Sequence, residues 1–183
     1  MKNFDNKEEE QIKIKNPQKY LALYDLENYL FEVVGPEIRK RGYINFEEFY
    51  NICMWKSSRQ KKNYLKNKEK IEKITKEAFK EKDELLKIEK LRSLDGVGIP
   101  TASAILTIVF PDKYGVIDIR CAEILEGYGI KKTMTINNWL RYLEAIRQLA
   151  RDNNLTPRDI DKILFAMHRE KLEKENYKNL YKK

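Results

Sequence analysis

Between Leu91 and Asp118 the chain leaves little freedom in how it can fold. A Lys-rich helical run over residues 83–94 ends in Asp95-Gly96-Val97-Gly98, and a second, apolar helix begins at Ile99 or Pro100. Two glycines in four residues let the backbone take positive φ and reverse sharply. Pro100 suits a first helical turn, where its missing N–H costs nothing. The stretch Ala102, Ala104, Ile105, Leu106, Ile108, Val109 and Phe110 is apolar all round, so this helix should be central, with Pro111 ending it. The pattern predicts a tight helical hairpin over residues 83–110. Its exposed amides at a helix N-terminus would form a ready cradle for phosphate. A loop over residues 111–118 then delivers Asp118 to the start of a further helix, Ile119 to Leu125.

The chain around this hairpin reads as helical throughout. Residues 1–16 mix Lys and Glu and predict a flexible start. From Pro17 a helix carries Tyr20, Leu21, Tyr24, Leu26, Tyr29, Leu30, Val33 and Val34, and Gly35-Pro36 should interrupt it. Asn45 with Glu48 predicts a capping box for a buried helix of Phe46, Phe49, Tyr50, Ile52, Cys53 and Met54. That helix exits at Trp55-Lys56-Ser57-Ser58-Arg59-Gln60. An amphipathic surface helix should cover 64–82 through Leu65, Ile71, Ile74 and Phe79. Leu85, Leu86, Ile88 and Leu91 should face the hairpin partner. A helix over about 137–152 buries Trp139, Leu140, Leu143, Ile146 and Leu149. Thr156-Pro157-Arg158-Asp159 starts a last helix on Ile160, Ile163, Leu164 and Met167, before a basic tail from His168. No alternating strand pattern or long repeat occurs, so the expected fold is all-α, one domain over residues 17–183.

Charge adds a partner class. The net charge is +8, and residues 56–92, which lead into the hairpin, hold fourteen Lys/Arg against seven Asp/Glu. A solvated helix face explains such a run as readily as a polyanion does. Adjacency to the hairpin favours DNA. No apolar run approaches a membrane span, and the charged N-terminus is not a signal peptide, so a cytoplasmic, nucleoid-associated monomer is expected. Cys53 and Cys121 lie among apolar neighbours and read as buried reduced thiols. With one histidine, His168, no metal site built from side chains is expected.

Leu94-x-Gly96-Val97-Gly98-x-x-Thr101-Ala102, an aliphatic pair, and Asp118 twenty residues beyond Gly98 resemble the helix-hairpin-helix superfamily of base-excision DNA glycosylases, the endonuclease III-like enzymes included. The match covers about residues 86–125. The resemblance implies a helical bundle, divisible into two small lobes with a cleft between, acting on double-stranded DNA. It implies Asp118 as the catalytic carboxylate, and backbone contact by Gly96, Val97, Gly98 and Thr101. Trp55, Lys56, Ser57, Arg59 and Arg120 would line the base pocket or touch the duplex. The four clustered cysteines that hold an iron–sulfur cluster in many relatives are absent. No cofactor is expected beyond a monovalent cation held by hairpin carbonyls. Strand-nicking members carry a lysine where this chain has Pro100, which implies a monofunctional glycosylase with water attacking. Lys56 is the one other lysine placed for a displaced lyase role.

Breaking an N-glycosidic bond builds positive charge on the sugar, which a fixed carboxylate stabilises while it orients the attacking water. Asp118 suits that task. On this stretch alone it reads as an N-cap, worth about 1 kcal/mol to its helix, and the hairpin upstream is what favours catalysis. Many relatives follow their aspartate with a small residue and His, where this chain has Ile119 and Arg120. An Asp118 lining a cleft would favour an enzyme, and an Asp118 paired with Arg120 or Arg158 would count against one. Two alternatives stay open: a non-catalytic module that grips phosphates, and a helical interaction domain in which Gly-Val-Gly is only a turn.

Overall fold

The computed structural model describes residues 26–180, with side chains to residue 173, and every regular element there is helical. The expected mobile start, and the first part of the helix from Pro17 with Tyr20, Leu21 and Tyr24, lie outside the described residues. In chain order the elements are α1 (Leu26–Tyr29), a π turn (Leu30–Val34), α2 (Gly35–Arg41), α3 (Phe46–Lys56), α4 (Lys61–Tyr64), α5 (Ile71–Lys80), α6 (Glu84–Arg92), α7 (Ile99–Val109), α8 (Ile119–Ile124), α9 (Ile136–Asn153) and α10 (Pro157–Leu180).

The centre is α7, in which every residue except Pro100 is buried. It packs against α2, α3, α6 and the π turn. Each fully buried Ile105, Leu106 or Ile108 contributes about 1.5–3 kcal/mol, so this apolar helix is a large part of what the remaining helices assemble around. Arg39 Nη1 donates to the Val109 carbonyl at 2.6 Å, satisfying one of the orphan acceptors where α7 ends. The C-terminal half forms a second group, α8 against α10 and α10 against α9.

Several boundaries differ from the sequence reading. Gly35-Pro36 does not stop the first helix. Val34 and Gly35 both keep right-handed helical backbone, and the missing proline donor is absorbed by the π turn, in which the Gly35 amide reaches back to the Leu30 carbonyl. Gly35 is required for another reason: a Cβ there would lie 2.2 Å from the Ile108 carbonyl oxygen. The predicted helix over 64–82 is broken by a 3₁₀ turn at Leu65–Asn67, which leaves Leu65 exposed. In α6, Ile88 and Leu91 are fully buried, whereas Leu85 and Leu86 face solvent. The region from His168 onward is no tail, because α10 continues to Leu180. The buried face of α10 runs through Ile160, Asp161, Leu164 and His168, and Ile163 and Met167 are exposed.

Both predicted caps form. The Asn45 side chain accepts from the Glu48 amide while Glu48 accepts from the Asn45 amide, and Thr156 and Asp159 bond reciprocally at the start of α10. Cys53 and Cys121 are free and buried, and burial pushes both thiols up. No described helix is long and apolar enough to cross a membrane.

Candidate active site

Two structures meet on one side of the molecule: the turn between α6 and α7, and a cleft between the end of α3 and the pair α8 and α10. The turn is fixed from below by Asn67, a residue the sequence reading passed over. Asn67 is fully buried in the α4–α5 connection. Its carboxamide donates to the Asn63, Tyr64 and Asp95 carbonyls and accepts from the Asp95 amide at 2.8 Å. Lys70 Nζ adds an ion pair to Asp95 at 2.6 Å. Its signal in the sequence is weak, an asparagine among lysines and asparagines, because the partner that matters lies 28 residues away.

The two glycines of the turn are not equivalent. Gly96 has φ +80°, and a Cβ there would lie 3.0 Å from both Asn63 Cβ and the Tyr64 ring, so glycine is needed for the fold. Gly98 is the N-cap of α7 with extended backbone, and a Cβ there would meet only Pro100 Cδ at 3.8 Å. No side chain caps α7. The amides of Gly98, Ile99 and Thr101 thus have no acceptor among the described residues, at the positive end of a helix dipole. Val97 does not add to this cradle: its amide donates to the Leu94 carbonyl at 3.1 Å and its side chain is in the core. The Thr101 side chain is nearly buried beside the Tyr64 hydroxyl, so the expected phosphate donor is turned inward. The Leu94 and Asp95 carbonyls already accept from Val97 and Asn67.

A groove runs from this turn to Asp118, lined by Ser57, Arg59, Gly96, Gly98, Ile119 and Arg120 among others. It opens into the cleft, of about 350 Å³, which falls within the ordinary size of small-molecule sites, roughly 300–1,000 Å³. Lys56, Asp118 and Arg120 line both.

Asp118 caps a helix and lines the cleft at the same time. Oδ1 accepts from the Cys121 amide at 2.9 Å and caps α8, while Oδ2 lies 3.8 Å from Lys56 Nζ in the cleft. Its side chain is 26% exposed, so the carboxylate is fixed yet reachable from solvent. Neither arginine pairs with it. Arg120 lies over the Phe165 ring at 4.9 Å, and Arg158 pairs with Asp161 and Glu27.

The loop before Asp118 is held by three side chains from different helices. Asp161 accepts from the Val116 amide at 2.6 Å, Ser103 Oγ accepts from the Ile117 amide at 3.2 Å, and the Tyr142 hydroxyl donates to the Val116 carbonyl at 2.9 Å. Asp161 also escaped the sequence reading. An aspartate in the same helical stripe as Ile160 and Leu164 was the available sign. Burial raises its carboxyl to about 7, although the Arg158 guanidinium and the Val116 amide favour the charged form. Arg158 in turn lies 4.4 Å from the Phe31 ring centroid and 5.9 Å from that of Trp55, and the two rings meet edge to face. Trp55 and Arg158 of this stack line the cleft, with Phe31 behind them.

Lys56 is the last residue of α3, with its side chain 15% exposed. Burial lowers its ammonium below the ordinary lysine range, against the pull of Asp118, Cys121 and Asp161. The sequence-named residues thus divide: Trp55, Lys56, Asp118 and Arg120 line the cleft, Ser57, Arg59, Gly96, Gly98 and Thr101 line the groove, and Val97 lines neither. Comparison with protein families, with curated proteins and with solved structures finds no match.

Proposed function

We propose that this chain is a DNA glycosylase of the helix-hairpin-helix kind, releasing a damaged or mismatched base flipped from double-stranded DNA. The observation that carries the reading is Asp118: a carboxylate locked by its own cap bond, presenting its second oxygen to a cleft that a groove joins to the uncapped start of α7. A phosphate at the Gly98 and Ile99 amides would set the register of the strand, and Arg59 and Arg120 would meet its neighbours. The nucleotide drawn into the cleft would stack against the Trp55 side, with Asp118 stabilising the sugar cation and orienting the attacking water. The amide contacts carry no base identity. Pro100 supplies no amine at the turn, so base release proceeds by hydrolysis.

The test is base release from labelled duplexes carrying uracil, thymine opposite guanine, 8-oxoguanine, hypoxanthine or an alkylated adenine. Release by the wild type that disappears in Asp118→Asn is the expected result. A second reading rests on the Lys56–Asp118 pair: if it only stabilises the fold, the chain is a non-catalytic module gripping phosphates. Tight, salt-sensitive binding to every duplex, with no release of any base, would select it.

A further inference from the structure

Resting on that reading of the cleft, we propose that Lys56 is a second catalytic residue, whose Nζ captures the aldehyde of the abasic sugar as an imine and so opens the strand. An amine that attacks a carbonyl must be partly neutral, sheltered from bulk water and close to a group that manages protons. Lys56 meets these conditions by position. It ends α3 inside the cleft, its side chain is largely buried, and Asp118 Oδ2 lies 3.8 Å from Nζ. Desolvation lowers its proton affinity, so more of it is free amine than in a surface lysine. Both walls of the approach pass it, since it lines the cleft and the groove alike. Among the described residues Lys162 is the other lysine on the cleft, and it is exposed.

The step balances without an oxidant or a metal. After hydrolysis has released the base, the ring-opened sugar carries an aldehyde at C1′. The Nζ lone pair adds to that carbon, one proton is taken up from solvent, and loss of one water leaves a protonated imine. Asp118 Oδ2 takes a proton from the adjacent C2′, and the electron pair forms a C2′–C3′ double bond. The bond from C3′ to the phosphate oxygen breaks, so the phosphate leaves on the downstream strand. Water then hydrolyses the imine, freeing the unsaturated aldehyde and restoring the amine.

A duplex containing one preformed abasic site tests this without reference to any damaged base. The full chain is mixed with it in the presence of borohydride, which reduces the imine to a stable amine. We expect a covalent protein–DNA adduct that maps to the Lys56 peptide and forms with an acid limb below the ordinary lysine range. Lys56→Arg keeps the charge and the ion pair to Asp118 but cannot form the imine. That variant should unfold at the wild-type temperature and lose the adduct, as should Lys56→Gln. An adduct that persists in Lys56→Arg, on the N-terminal amine or another lysine, overturns the proposal. So does a wild type that gives no adduct. Base release without an adduct leaves the glycosylase reading standing and removes only this one, whereas an adduct on Lys56 without base release does the reverse.

Discussion

The turn between α6 and α7 and the cleft around Asp118 are built by opposite means. In the turn, hydrogen bonds from one neutral asparagine hold the backbone beside the exposed Lys70–Asp95 pair, and the groups left over are three amides without an acceptor among the described residues. In the cleft, charged side chains are drawn inside and satisfy one another: Arg158 with Asp161 and Glu27, Lys56 with Asp118. The turn depends on neighbours a few tens of residues away. The cleft depends on elements far apart in sequence, with Arg158 reaching Glu27 across 131 residues. A platform made mainly from neutral bonds is cheap to hold and hard to switch. A buried ionic cluster costs desolvation that pairing only partly offsets, and removing one partner leaves the other charge uncompensated.

The comparison is broken most severely at Arg158. Arg158→Met leaves Asp161 buried without its cation and should cost about 3–5 kcal/mol of stability, read as a shift of the denaturant midpoint. A loss below about 1 kcal/mol would mean that the pair does not hold the cleft. Next comes Asp118→Asn, which keeps the acceptor for the Cys121 amide and removes the charge. If Asp118 acts on the transition state as proposed, base release should fall by about 10²–10³ with little change in DNA affinity. An affinity loss matching the activity loss would instead place Asp118 in binding.

The cleft should also leave a mark on the pH dependence of stability. Asp161 takes up its proton near pH 7 when folded and near 3.8 as an ordinary aspartate. Between those values the folded chain binds a proton that the unfolded chain has released. This group therefore makes stability fall as pH rises from about 4 to 7, by up to about 1.4 kcal/mol per pH unit. Asp161→Asn should flatten that part of the profile, measured by denaturation at several pH values. An unchanged slope would show that Arg158 keeps Asp161 ionised throughout.

The turn should yield smaller effects, and its two glycines should separate. Gly96→Ala forces an L-residue to φ +80° against Tyr64 and Asn63 and should cost about 1–3 kcal/mol. Gly98→Ala has room and ordinary backbone, so unfolding should move by no more than about 0.5 kcal/mol. Its methyl group would stand where a phosphate approaches, so DNA affinity should weaken and the salt dependence become shallower. If both variants destabilise equally and neither alters DNA binding, the turn is structural alone.

The turn was largely legible in the sequence because it is made of short-range chemistry: glycine at positive φ, proline in a first turn, an apolar helix to bury. The capping box at Asn45 and the helix start at Thr156 were legible for the same reason. Asp118 could be named as cap and as pocket carboxylate together, since both roles follow from its place at a helix start. What escaped was set by tertiary contact. The π turn lets the chain pass Pro36 because Gly35 must press against Ile108. Leu85 and Leu86 lost the core to Ile88 and Leu91 because helix spacing alone does not choose which stripe faces α7. Asn67 and Asp161 carry only faint local signals and the Lys56–Asp118 pairing none, since Asp95, Val116 and Asp118 reach them from distant parts of the chain.

Gly98 has a consequence for how this chain can vary among its descendants. The protein would fold with alanine there, so nothing in the economy of the interior defends the position. Drift at residue 96 is checked each time a new copy of the chain folds. Drift at residue 98 is checked only when the chain meets whatever lies outside. A lineage that stopped needing that outside partner should therefore lose the second glycine long before the first.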